Sequence, residues 1–528
     1  MYNMKRNEFH ELISIESAEQ ILRSIMHSRT EVVPLDQAYR RILAEDVVAA
    51  IDVPSFDRAD MDGYAVRAAD TYTAREDAPV QLTNKGVIHA GHVPALSITA
   101  GVTVEIATGA MLPDGADAVV MVEYTEQTGA STPSTSSEPP ESRESSESSV
   151  WIGRAVHAGE NVMRAGADIK QGHRVLPRGT QLGSREIGVL AAIGRHEVRV
   201  STLSVGIIST GTELVPINEP LQAGQVHDVN SHTICAAVRE CGASPVMYGI
   251  VSDDPEKTKE ILEKAISQCD LVLTSGSTSA GSGDIMPHIL REHGEILAHG
   301  INIKPGKPMI IAKMKKPVIG LPGFPTSALS MFHYMVAPRI RDVLGYETIV
   351  KRQPAVLGTR VKSAGRHQLL PVALVRDHAF PVQRGSGAIT TLASADGFIE
   401  IIPDIEIMES GDQVEVVLFD DEHTSDFVIA GTPAGIVDML TEMLPFRVRG
   451  IHAGATASIG AVQNRIVDVA CVPFHAERLT SLQRTHDLLI TRVTLQDNRE
   501  YMFVVLQDQI GQENVKMLLA QCQGTSRP

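Results

Sequence analysis

Two lysines beside a Pro-Gly turn are the residues of this 528-residue chain whose type and spacing first suggest chemistry. In the segment IKPGKP, Lys304 and Lys307 flank a bend that begins at Pro305, so two ammonium groups project from a rigid turn. The downstream segment GLPGFPTSALSMF predicts a helix capped by Thr326 or Ser327, and the N–H groups at a helix start attract anions. The pattern predicts a site for a phosphate or another tetrahedral oxyanion, with a solvated lysine turn as the alternative.

A Gly/Ser-rich loop, SGSTSAGSGD at residues 275–284, is the second candidate. Its glycines let the backbone approach a ligand closely, and its hydroxyl groups can donate hydrogen bonds to that ligand. The carboxylate at its end suits Mg²⁺, which prefers oxygen ligands and water. We expect a phosphate or pterin to bind here, although a plain connector is an equal alternative on this loop alone. The residues concerned include Ser275, Gly276, Ser279, Gly281 and Asp284.

Clustered carboxylates form the third and fourth candidates. Asp57, Asp60 and Asp62 crowd one loop, PSFDRADMDGYAV, and such crowding is costly unless cations or hydrogen-bond donors neutralise it. Asp228 in VHDVNSHT and Asp253 in IVSDDPEK each follow a strand-like run. As isolated features these carboxylates are more typical of turns and helix caps than of ligands. The histidines show no metal-ligand spacing such as HExxH, and no chemistry is assigned to them.

The elements that must position these residues alternate between strand and helix from about 200 to 345. Apolar runs such as LSVGIIST and DLVLTSG alternate with amphipathic runs such as PEKTKEILEKAISQ, which predicts a parallel sheet covered by helices. The polar turns STGTE and SGSTSAGSGD follow two of these strands. In open α/β sheets ligands bind at the carboxyl ends of the strands, so these turns are where we expect the chemistry.

The whole chain is predicted to be a multidomain α/β plus β protein, because its length exceeds what one core supports. The region 125–149 is rich in Ser, Thr and Pro without a large aliphatic residue, and we expect a disordered insertion there. The predicted units are a discontinuous domain of 10–55 with 151–190, a β-rich domain of 56–124, the central α/β domain of 195–347, a small β-barrel of 350–420 and a partial α/β lobe of 425–528.

Composition narrows the class of protein. The formal net charge is −17, and no long basic stripe exists to displace counterions from nucleic-acid phosphates. The five cysteines form no CxxC pair, which argues against a disulfide framework or a zinc knuckle. No apolar run is long enough for a membrane span, and the first residues carry too many charges for a signal peptide. We expect a cytoplasmic protein with neither a nucleic-acid nor a membrane partner.

Taken together, the motifs resemble the molybdopterin molybdenumtransferase (MoeA) family over about residues 10–420. They occur in this order: DRADMDGYAV, IATGAMLPDGADAVV, GENVMRAGADIKQG, IISTGTEL, DVNSHT, DLVLTSGSTSAGSGD, KPGKP and GLPGFPTSA. The resemblance implies a central domain like that of MogA and the last step of molybdenum cofactor assembly. In that step molybdate is inserted into adenylylated molybdopterin and AMP is released, with Mg²⁺ as the cofactor. Tungstate is an alternative anion.

The resemblance also implies roles for particular residues and an elongated homodimer whose active cleft is shared between subunits. The implied catalytic residues are Asp62, Asp284, Lys304 and Lys307, of which Asp62 and Asp284 would hold the metal ion. The implied oxyanion ligands are Lys304, Pro305, Ser327 and Arg366. The implied nucleotide and pterin ligands are Thr108, Thr210, Gly211, Glu213, Asp228, Asp253, Ser275, Gly276, Ser279 and Gly281.

Two positions depart from the family pattern, which often has SGG where Ser277 ends SGS here, and LPGNP where Phe324 stands here. The segments DFVIAGTPAGIVDMLTEML and GIHAGATASIGAVQNRIVDVACVPFH after residue 425 resemble the first lobe of a periplasmic-binding-protein-like domain. Because such domains need two lobes, we expect this lobe to be vestigial or to support the dimer, with a working oxyanion receptor as the alternative. Two alternative functions remain: a molybdopterin adenylyltransferase, and a non-catalytic scaffold that binds molybdopterin or an oxyanion.

Overall fold

The computed structural model describes residues 12–128, 148–278, 285–346, 350–382, 388–419, 427–446, 448–474, 488–494 and 499–524. The chain divides into two compact units, residues 30–201 and residues 1–29 with 202–528. No helix among the described residues combines the length and hydrophobicity that a membrane span requires.

The unit of residues 30–201 is built mainly of short strands. Six of them form one sheet, which runs in the order Ala118–Met121, Gly63–Val66, Val102–Ile106, Val80–Ile88, Ser148–Ile152 and Thr125–Thr128. Three further two-stranded pairs are Arg29–Pro34 with Glu197–Thr202, Val47–Val48 with Arg174–Leu176, and Arg58–Ala59 with Val162–Met163. The helical segments are Ser184–Ala192 and the 3-10 turns Leu35–Gln37, Ala68–Thr71 and Val122–Tyr124.

The second unit contains the strand and helix alternation expected from the sequence, as a six-stranded mixed sheet. We refer to it as the central sheet, and its strand order is Ser244–Val251, Ser204–Thr210, Leu271–Ser275, Pro317–Leu321, Ile310–Lys313 and Glu295–His299. The first four strands are mutually parallel, and the last two are antiparallel to their neighbours. The predicted fold class is confirmed, with the difference that a hairpin at one edge makes the sheet mixed.

Helices cover the central sheet because its strands are apolar on both faces, as the fully buried strands Leu271–Ser275 and Pro317–Leu321 illustrate. A continuous helical stretch combines Pro325–Met331, a π-helical turn Phe332–Val336 and Ala337–Leu344. The other helices here are Asn230–Glu240, Pro255–Gln268 and Met286–His293, and a small parallel pair joins Leu214–Val215 to Val226–His227.

The N-terminal helix Ile15–Ile25 belongs to this second unit and not to the discontinuous domain that the sequence suggested. It begins after Ser14, whose hydroxyl accepts a hydrogen bond from the Ser17 N–H at 3.2 Å. Its apolar face, which includes Leu22 and Met26, packs into the same core as the strand residue Ile207. Burial of this face, rather than its position along the chain, decides where the helix lies.

The β-rich segment after residue 350 forms a closed five-stranded barrel, as predicted. Its strands follow the order His367–Val375, His378–Pro381, Arg352–Leu357, Gln413–Leu418 and Gly397–Ile401, and the last pairs with the first. A short strand from the preceding region, Ile303–Lys304, adds to the barrel in parallel with the start of His367–Val375. A further pair, Val361–Lys362 with Ile407–Met408, and the helix Thr390–Ala393 complete this region.

The C-terminal lobe is a five-stranded mixed sheet in the order Val448–His452, Phe427–Gly431, Val469–Pro473, Glu500–Leu506 and Leu488–Thr494. Its helices are Ala434–Glu442, Ala455–Gln463 and Glu513–Gly524, with a 3-10 turn Gln507–Gln509. One apolar face of this sheet shares a hydrophobic cluster with the barrel residues Val375 and Phe380. The lobe therefore packs directly against the barrel.

A buried ion pair reinforces the contact between the lobe and the barrel. Arg449 Nη2 of the lobe donates to Asp396 Oδ1 of the barrel at 2.7 Å, and Arg449 Nη1 donates to the other carboxylate oxygen and to the Leu374 carbonyl, the latter at 2.7 Å. The two side chains are only 14% and 9% exposed. Because Asp396 also accepts from the Leu374 N–H at 2.6 Å, the pair is tied to the backbone of a barrel strand.

The predicted insertion at 125–149 differs from expectation at its two ends. Residues 125–128 and 148–149 lie in strands that pair antiparallel with each other, Thr125 opposite Ile152 and Thr128 opposite Ser149. Ladder pairing to the six-stranded sheet offsets the low hydrophobicity of these few residues. The rest of the expected insertion, residues 129–147, lies outside the described residues.

Replacing Arg449 with Ala should lower the free energy of unfolding of the lobe and barrel by about 3 kcal/mol, because it leaves the Asp396 carboxylate buried without its partner. Native-state hydrogen exchange of amides in His367–Val375 and Phe427–Gly431 measures this. The control is Arg465→Ala in the same lobe, whose pair with Asp508 is more than half exposed and should contribute under about 1 kcal/mol. Equal losses of protection in both variants would contradict the role given to Arg449.

Candidate functional site

Four parallel strands of the central sheet end at one edge, and the first candidate site is built there. In register, Thr210 lies opposite Val251, Ser209 opposite Ser275, and Ser275 opposite Leu321. The turns that follow begin with Gly211, Ser252, Gly276 and Pro322. The structure therefore brings the predicted residues Thr210, Gly211, Asp253, Ser275 and Gly276 together at one sheet edge.

The Thr210 turn and the loop after Ser275 contact each other directly. Thr210 Oγ1 donates to the Ser275 carbonyl at 3.2 Å, and the Gly211 N–H donates to the Val251 carbonyl at 3.3 Å. A Cβ added at Gly211 would lie 2.7 Å from Glu213 Oε2, so the Glu213 carboxylate folds back over this turn. An exposed carboxylate above a close-packed backbone turn can accept hydrogen bonds from a sugar hydroxyl or an amino group.

Gly276 is required for this close approach. Its φ is +95°, and a Cβ at this position would lie 2.2 Å from the Thr210 carbonyl oxygen. A side chain here would both strain the backbone and collide with an atom that cannot rotate away. The sequence predicts that glycines in this loop allow close approach to a ligand. In the structure, Gly276 instead allows close approach to the neighbouring strand end at Thr210.

A buried polar network lies beneath this edge. Asn230 Nδ2 donates to Ser275 Oγ at 2.5 Å and to the Gly323 carbonyl at 2.7 Å, which ties two strand ends to the start of a helix. Asp228, which is 3% exposed, accepts from Ser209 Oγ at 2.9 Å and from the Ser231 N–H at 3.1 Å. Asp228 Oδ1 therefore already accepts hydrogen bonds from the protein, as the side chain of a helix cap does.

Asn230 follows Asp228 in the motif DVNSHT, for which the sequence favours a turn or helix cap over a ligand. Its Oδ1 has no hydrogen-bond partner among the described residues, although the side chain is only 7% exposed. An unsatisfied buried acceptor of this kind costs about 1–3 kcal/mol unless a donor reaches it. The motif DVNSHT contained the signal, but a buried amide and a turn amide look alike in sequence.

Ser277 joins two of the strand-end loops. Its hydroxyl donates to Asp253 Oδ1 at 2.7 Å, and its φ of +48° is left-handed, where few non-glycine residues lie. The bond passes from the loop after Leu271–Ser275 to the loop after Ser244–Val251, on either side of the strand that ends at Thr210. The departure from the SGG pattern thus adds a hydroxyl that orients Asp253.

The second candidate site is the turn that contains Lys304, Pro305 and Lys307. This turn leads into Ile310–Lys313, which runs antiparallel to Pro317–Leu321 with Ile310 opposite Gly320. Because the antiparallel strand begins where the parallel strands end, the lysine turn lies at the same edge as the first site. Lys304 is exposed and, among the described residues, its ammonium has no hydrogen-bond or ion-pair partner.

The lysine turn packs on the helix that contains Ser327. Gly306 has a φ of +108°, and a Cβ there would lie 2.1 Å from Met331 Sδ, so the turn touches the first helical segment closely. The predicted cap of that helix is wrong: it begins at Pro325 after Phe324, and no side chain caps it. Pro325 fixes the helical φ without needing an N–H partner, which places Ser327 in the first turn, 6% exposed.

Arg366 comes to the same turn from the barrel. Ile303 is paired with His367 and Lys304 with Gln368, so Arg366 directly precedes the residue opposite Ile303. Paired strands lie about 4.8 Å apart, so Arg366 lies on the chain segment next to Lys304, two residues before its register partner Gln368. The structure therefore brings together the elements that carry the four predicted oxyanion residues.

Asp62 and Thr108 lie in the unit of residues 30–201 and contact each other. The Thr108 N–H and hydroxyl donate to Asp62 Oδ1 at 2.7 and 2.9 Å. The backbone hydrogen bond, followed by the hydroxyl, holds the pKa of Asp62 below its usual range, so this exposed carboxylate is ionised at neutral pH. Its neighbour Asp57 is neutralised differently, by Arg164 Nη1 at 2.6 Å and the Ala165 N–H at 2.8 Å.

Part of the predicted set cannot be placed. Asp284, Ser279 and Gly281 lie outside the described residues. Among the residues that are described, no group of three or more His, Cys, Asp or Glu side chains has the spacing to hold a metal ion. Asp62 alone is therefore the described carboxylate of the predicted metal pair.

A cavity of about 760 Å³ lies elsewhere, between the helix Ile15–Ile25, the helical stretch after Met331 and the barrel. Its lining includes Arg23, Tyr334, Arg352 and Glu400, and it contains none of the predicted site residues. We place the candidate site at the edge of the central sheet rather than in this cavity, because the predicted anion-binding groups converge there.

Comparison with protein families divides most of the chain into three matched regions. Residues 13–194 match the MoeA N-terminal region (domain I and II), residues 206–342 match a probable molybdopterin binding domain, and residues 354–419 match the MoeA C-terminal region (domain IV). The lobe after residue 425 lies beyond these three regions.

Individual relatives agree with these matches. The chain is 32% identical to a putative molybdopterin biosynthesis protein of Methanocaldococcus jannaschii, over 77% of this chain and 98% of that protein. It is 37% identical to the molybdopterin molybdenumtransferase of Nostoc sp., over 60% of this chain and 70% of that protein. A crystal structure of a molybdopterin biosynthesis MoeA protein from Pyrococcus horikoshii is 39% identical, with a TM-score of 0.67, and covers 78% of this chain and 100% of that chain.

Replacing Gly276 with Ala should destabilise the sheet edge and weaken ligand binding there by at least tenfold, because the new Cβ meets the Thr210 carbonyl oxygen. The control is Gly224→Ala, at a left-handed glycine with open space around it. Thermal denaturation and AMP binding by calorimetry measure the two effects. If both variants behave alike, left-handed strain and not contact with Thr210 explains the loss.

Proposed function

The chain belongs to the MoeA family of molybdopterin molybdenumtransferases, and from that premise we propose that the edge of its central sheet binds both anionic substrates. The protein is an enzyme of the molybdenum-insertion step of molybdenum cofactor biosynthesis. The substrates that we propose are adenylylated molybdopterin and molybdate, with AMP as the released product. Tungstate, a tetrahedral dianion of nearly the same size, is the alternative to molybdate.

The oxyanion would bind at the turn of Lys304, Pro305 and Lys307, beside Arg366 and Ser327. The observation that supports this assignment best is the pairing of Ile303–Lys304 with the barrel strand that follows Arg366. This pairing brings the chain segments of Lys304 and Arg366 together from two domains. The Lys304 ammonium has no ion-pair partner among the described residues. A dianion between Lys304 and Arg366 would neutralise both charges within a chain that is otherwise strongly acidic.

The nucleotide and pterin would bind along the first site, over Thr210, Gly211 and Gly276. The backbone of this edge is close-packed and glycine-rich, which lets a planar ring or phosphate lie against main-chain atoms. The exposed carboxylates of Glu213 and Asp253 would accept from ribose hydroxyls or from the amino group of the pterin. Asp228 would act from below, by holding the helix start in place.

Magnesium fits the donor chemistry of Asp62 and Thr108. The Asp62 carboxylate is ionised and exposed, and Thr108 engages only its Oδ1, so oxygen positions remain for a hard cation. Mg²⁺ binds through one or two carboxylates plus substrate phosphates, and when bound it offsets the charge that develops as a phosphate bond breaks. Asp284 is the second ligand that we propose.

The proposal extends to the assembly and compartment of the protein, namely a homodimer in the cytoplasm. The rival function, a molybdopterin adenylyltransferase, accounts for the central domain alone, whereas the matches at 13–194 and 354–419 belong to the insertion enzyme. A non-catalytic scaffold would not need Asp62, Lys304 and Lys307 together. The C-terminal lobe supports the barrel in this proposal, through Arg449 and Asp396.

The assay that tests this function mixes the purified protein with adenylylated molybdopterin, Mg²⁺ and molybdate, and follows AMP. We expect AMP release that depends on molybdate and stops when Mg²⁺ is chelated. AMP release without molybdate, or none at all, would contradict the insertion reaction. Formation of adenylylated molybdopterin from ATP and molybdopterin would favour the adenylyltransferase instead.

Replacing Lys304 with Ala should raise the KM for molybdate at least tenfold and leave the KM for adenylylated molybdopterin within about twofold, because a point charge is lost from a turn that persists. Lys264→Ala, on the exposed face of the helix Pro255–Gln268, is the matched control and should change neither constant. An equal rise in both KM values for Lys304→Ala would contradict the assignment of this turn to the oxyanion.

A further inference from the structure

We propose that Tyr334, His367 and Glu400 form a positioning network that holds the oxyanion-binding elements in register. The proposal rests on the function argued above and adds residues that neither the motifs nor the family matches single out. None of the three is assigned to contact substrate. They act through the backbone segments to which they belong.

The three side chains meet in a compact group. Tyr334 Oη donates to Glu400 Oε2 at 3.1 Å, and His367 Nε2 lies 3.3 Å from Tyr334 Oη and 3.6 Å from Glu400 Oε2. Because the tyrosine hydrogen is directed to the carboxylate, Nε2 of His367 is the donor in its contact with the hydroxyl. The imidazole and carboxylate side chains are 16% and 25% exposed, so solvent competes little for these bonds.

Two members lie on elements that bear part of the oxyanion site, and the third lies on a strand paired with one of these elements. Tyr334 is in the π-helical turn that continues the helix of Ser327. His367 directly follows Arg366 and is the register partner of Ile303. Glu400 lies on the neighbouring barrel strand, opposite Leu369, which puts it diagonal to His367 on the same face. The network thus links the helix, the lysine turn and the strand that begins beside Arg366.

The surroundings favour an ionised Glu400 and a neutral Tyr334. The adjacent His367, together with the hydrogen bond from Tyr334 and the charge of Arg352, holds the pKa of Glu400 below its usual range despite burial. Burial, followed by the Glu400 charge, raises the pKa of Tyr334, so the phenol stays a neutral donor. Glu16 and Glu19 of the N-terminal helix add negative charge near the phenol from a third direction.

Packing explains why such a network is needed here. The helix and barrel also meet through apolar contacts such as Tyr334 with Phe398, whose ring centroids are 5.7 Å apart. Apolar contacts tolerate small sliding, whereas a directed hydrogen bond fixes distance and orientation. A π-helical turn at this point shifts the helix locally, and such turns occur frequently at functional sites.

The test compares Tyr334→Phe and Glu400→Gln with the wild type in molybdate-dependent AMP release. We expect Tyr334→Phe to raise the KM for molybdate about tenfold, the equivalent of about 1.4 kcal/mol for a hydrogen bond to a charged group. The KM for adenylylated molybdopterin should stay within about twofold. Glu400→Gln keeps an oxygen acceptor for the Tyr334 hydroxyl. Its KM for molybdate should therefore rise less than that of Tyr334→Phe.

The matched control is Tyr248→Phe, which removes a hydroxyl bonded to Gln268 at 2.7 Å on the edge strand of the central sheet. It should leave both KM values unchanged. Molybdate affinity is also measured by equilibrium dialysis, which tests the network even if the enzyme shows no turnover. An inactive wild type counts against the proposed function. Unchanged molybdate affinity, or equal loss for both substrates, in a folded Tyr334→Phe protein overturns the network.

Discussion

The parallel pairing of Ile303–Lys304 with His367–Val375 is the contact on which the proposed oxyanion site depends. Two residues of backbone ladder join the region of the central sheet to the barrel, and they put Lys304 beside the chain segment of Arg366. So short a ladder is weak in isolation. Its support comes from Gly306 packed on Met331, from the apolar cluster of Leu369, Phe398 and Phe332, and from the hydrogen bonds of Tyr334.

The same arrangement explains how an acidic chain can bind anions. A net charge of −17 repels dianions at long range, but salt screens that field beyond about 8–10 Å. Within this distance the local charges dominate, and the turn contains Lys304 and Lys307 and pairs with the chain segment that follows Arg366. Of the carboxylates at the neighbouring edge, Asp228 is hydrogen-bonded within the protein, whereas Glu213 and Asp253 are exposed.

The C-terminal lobe packs against the barrel near the end of the strand His367–Val375. It buries barrel residues such as Val375 and Phe380 and adds the Arg449–Asp396 pair at the carbonyl of Leu374. The strand that includes Leu374 begins at His367, so the lobe and the lysine turn contact opposite ends of one strand.

The sequence by itself determined the strand and helix alternation, the glycine-rich loop, the lysine turn and the closed barrel, because each follows from local periodicity or backbone chemistry. It also determined the family, through motifs in a fixed order. Only the tertiary structure decided that the N-terminal helix joins the central core and that Phe324 and not a hydroxyl residue precedes the helix of Ser327. It also decided that Asn230 joins two strand ends and that Glu400 accepts a hydrogen bond from Tyr334. These features depend on which distant surfaces meet, and a contact between residues far apart in the chain leaves no periodic trace in the sequence.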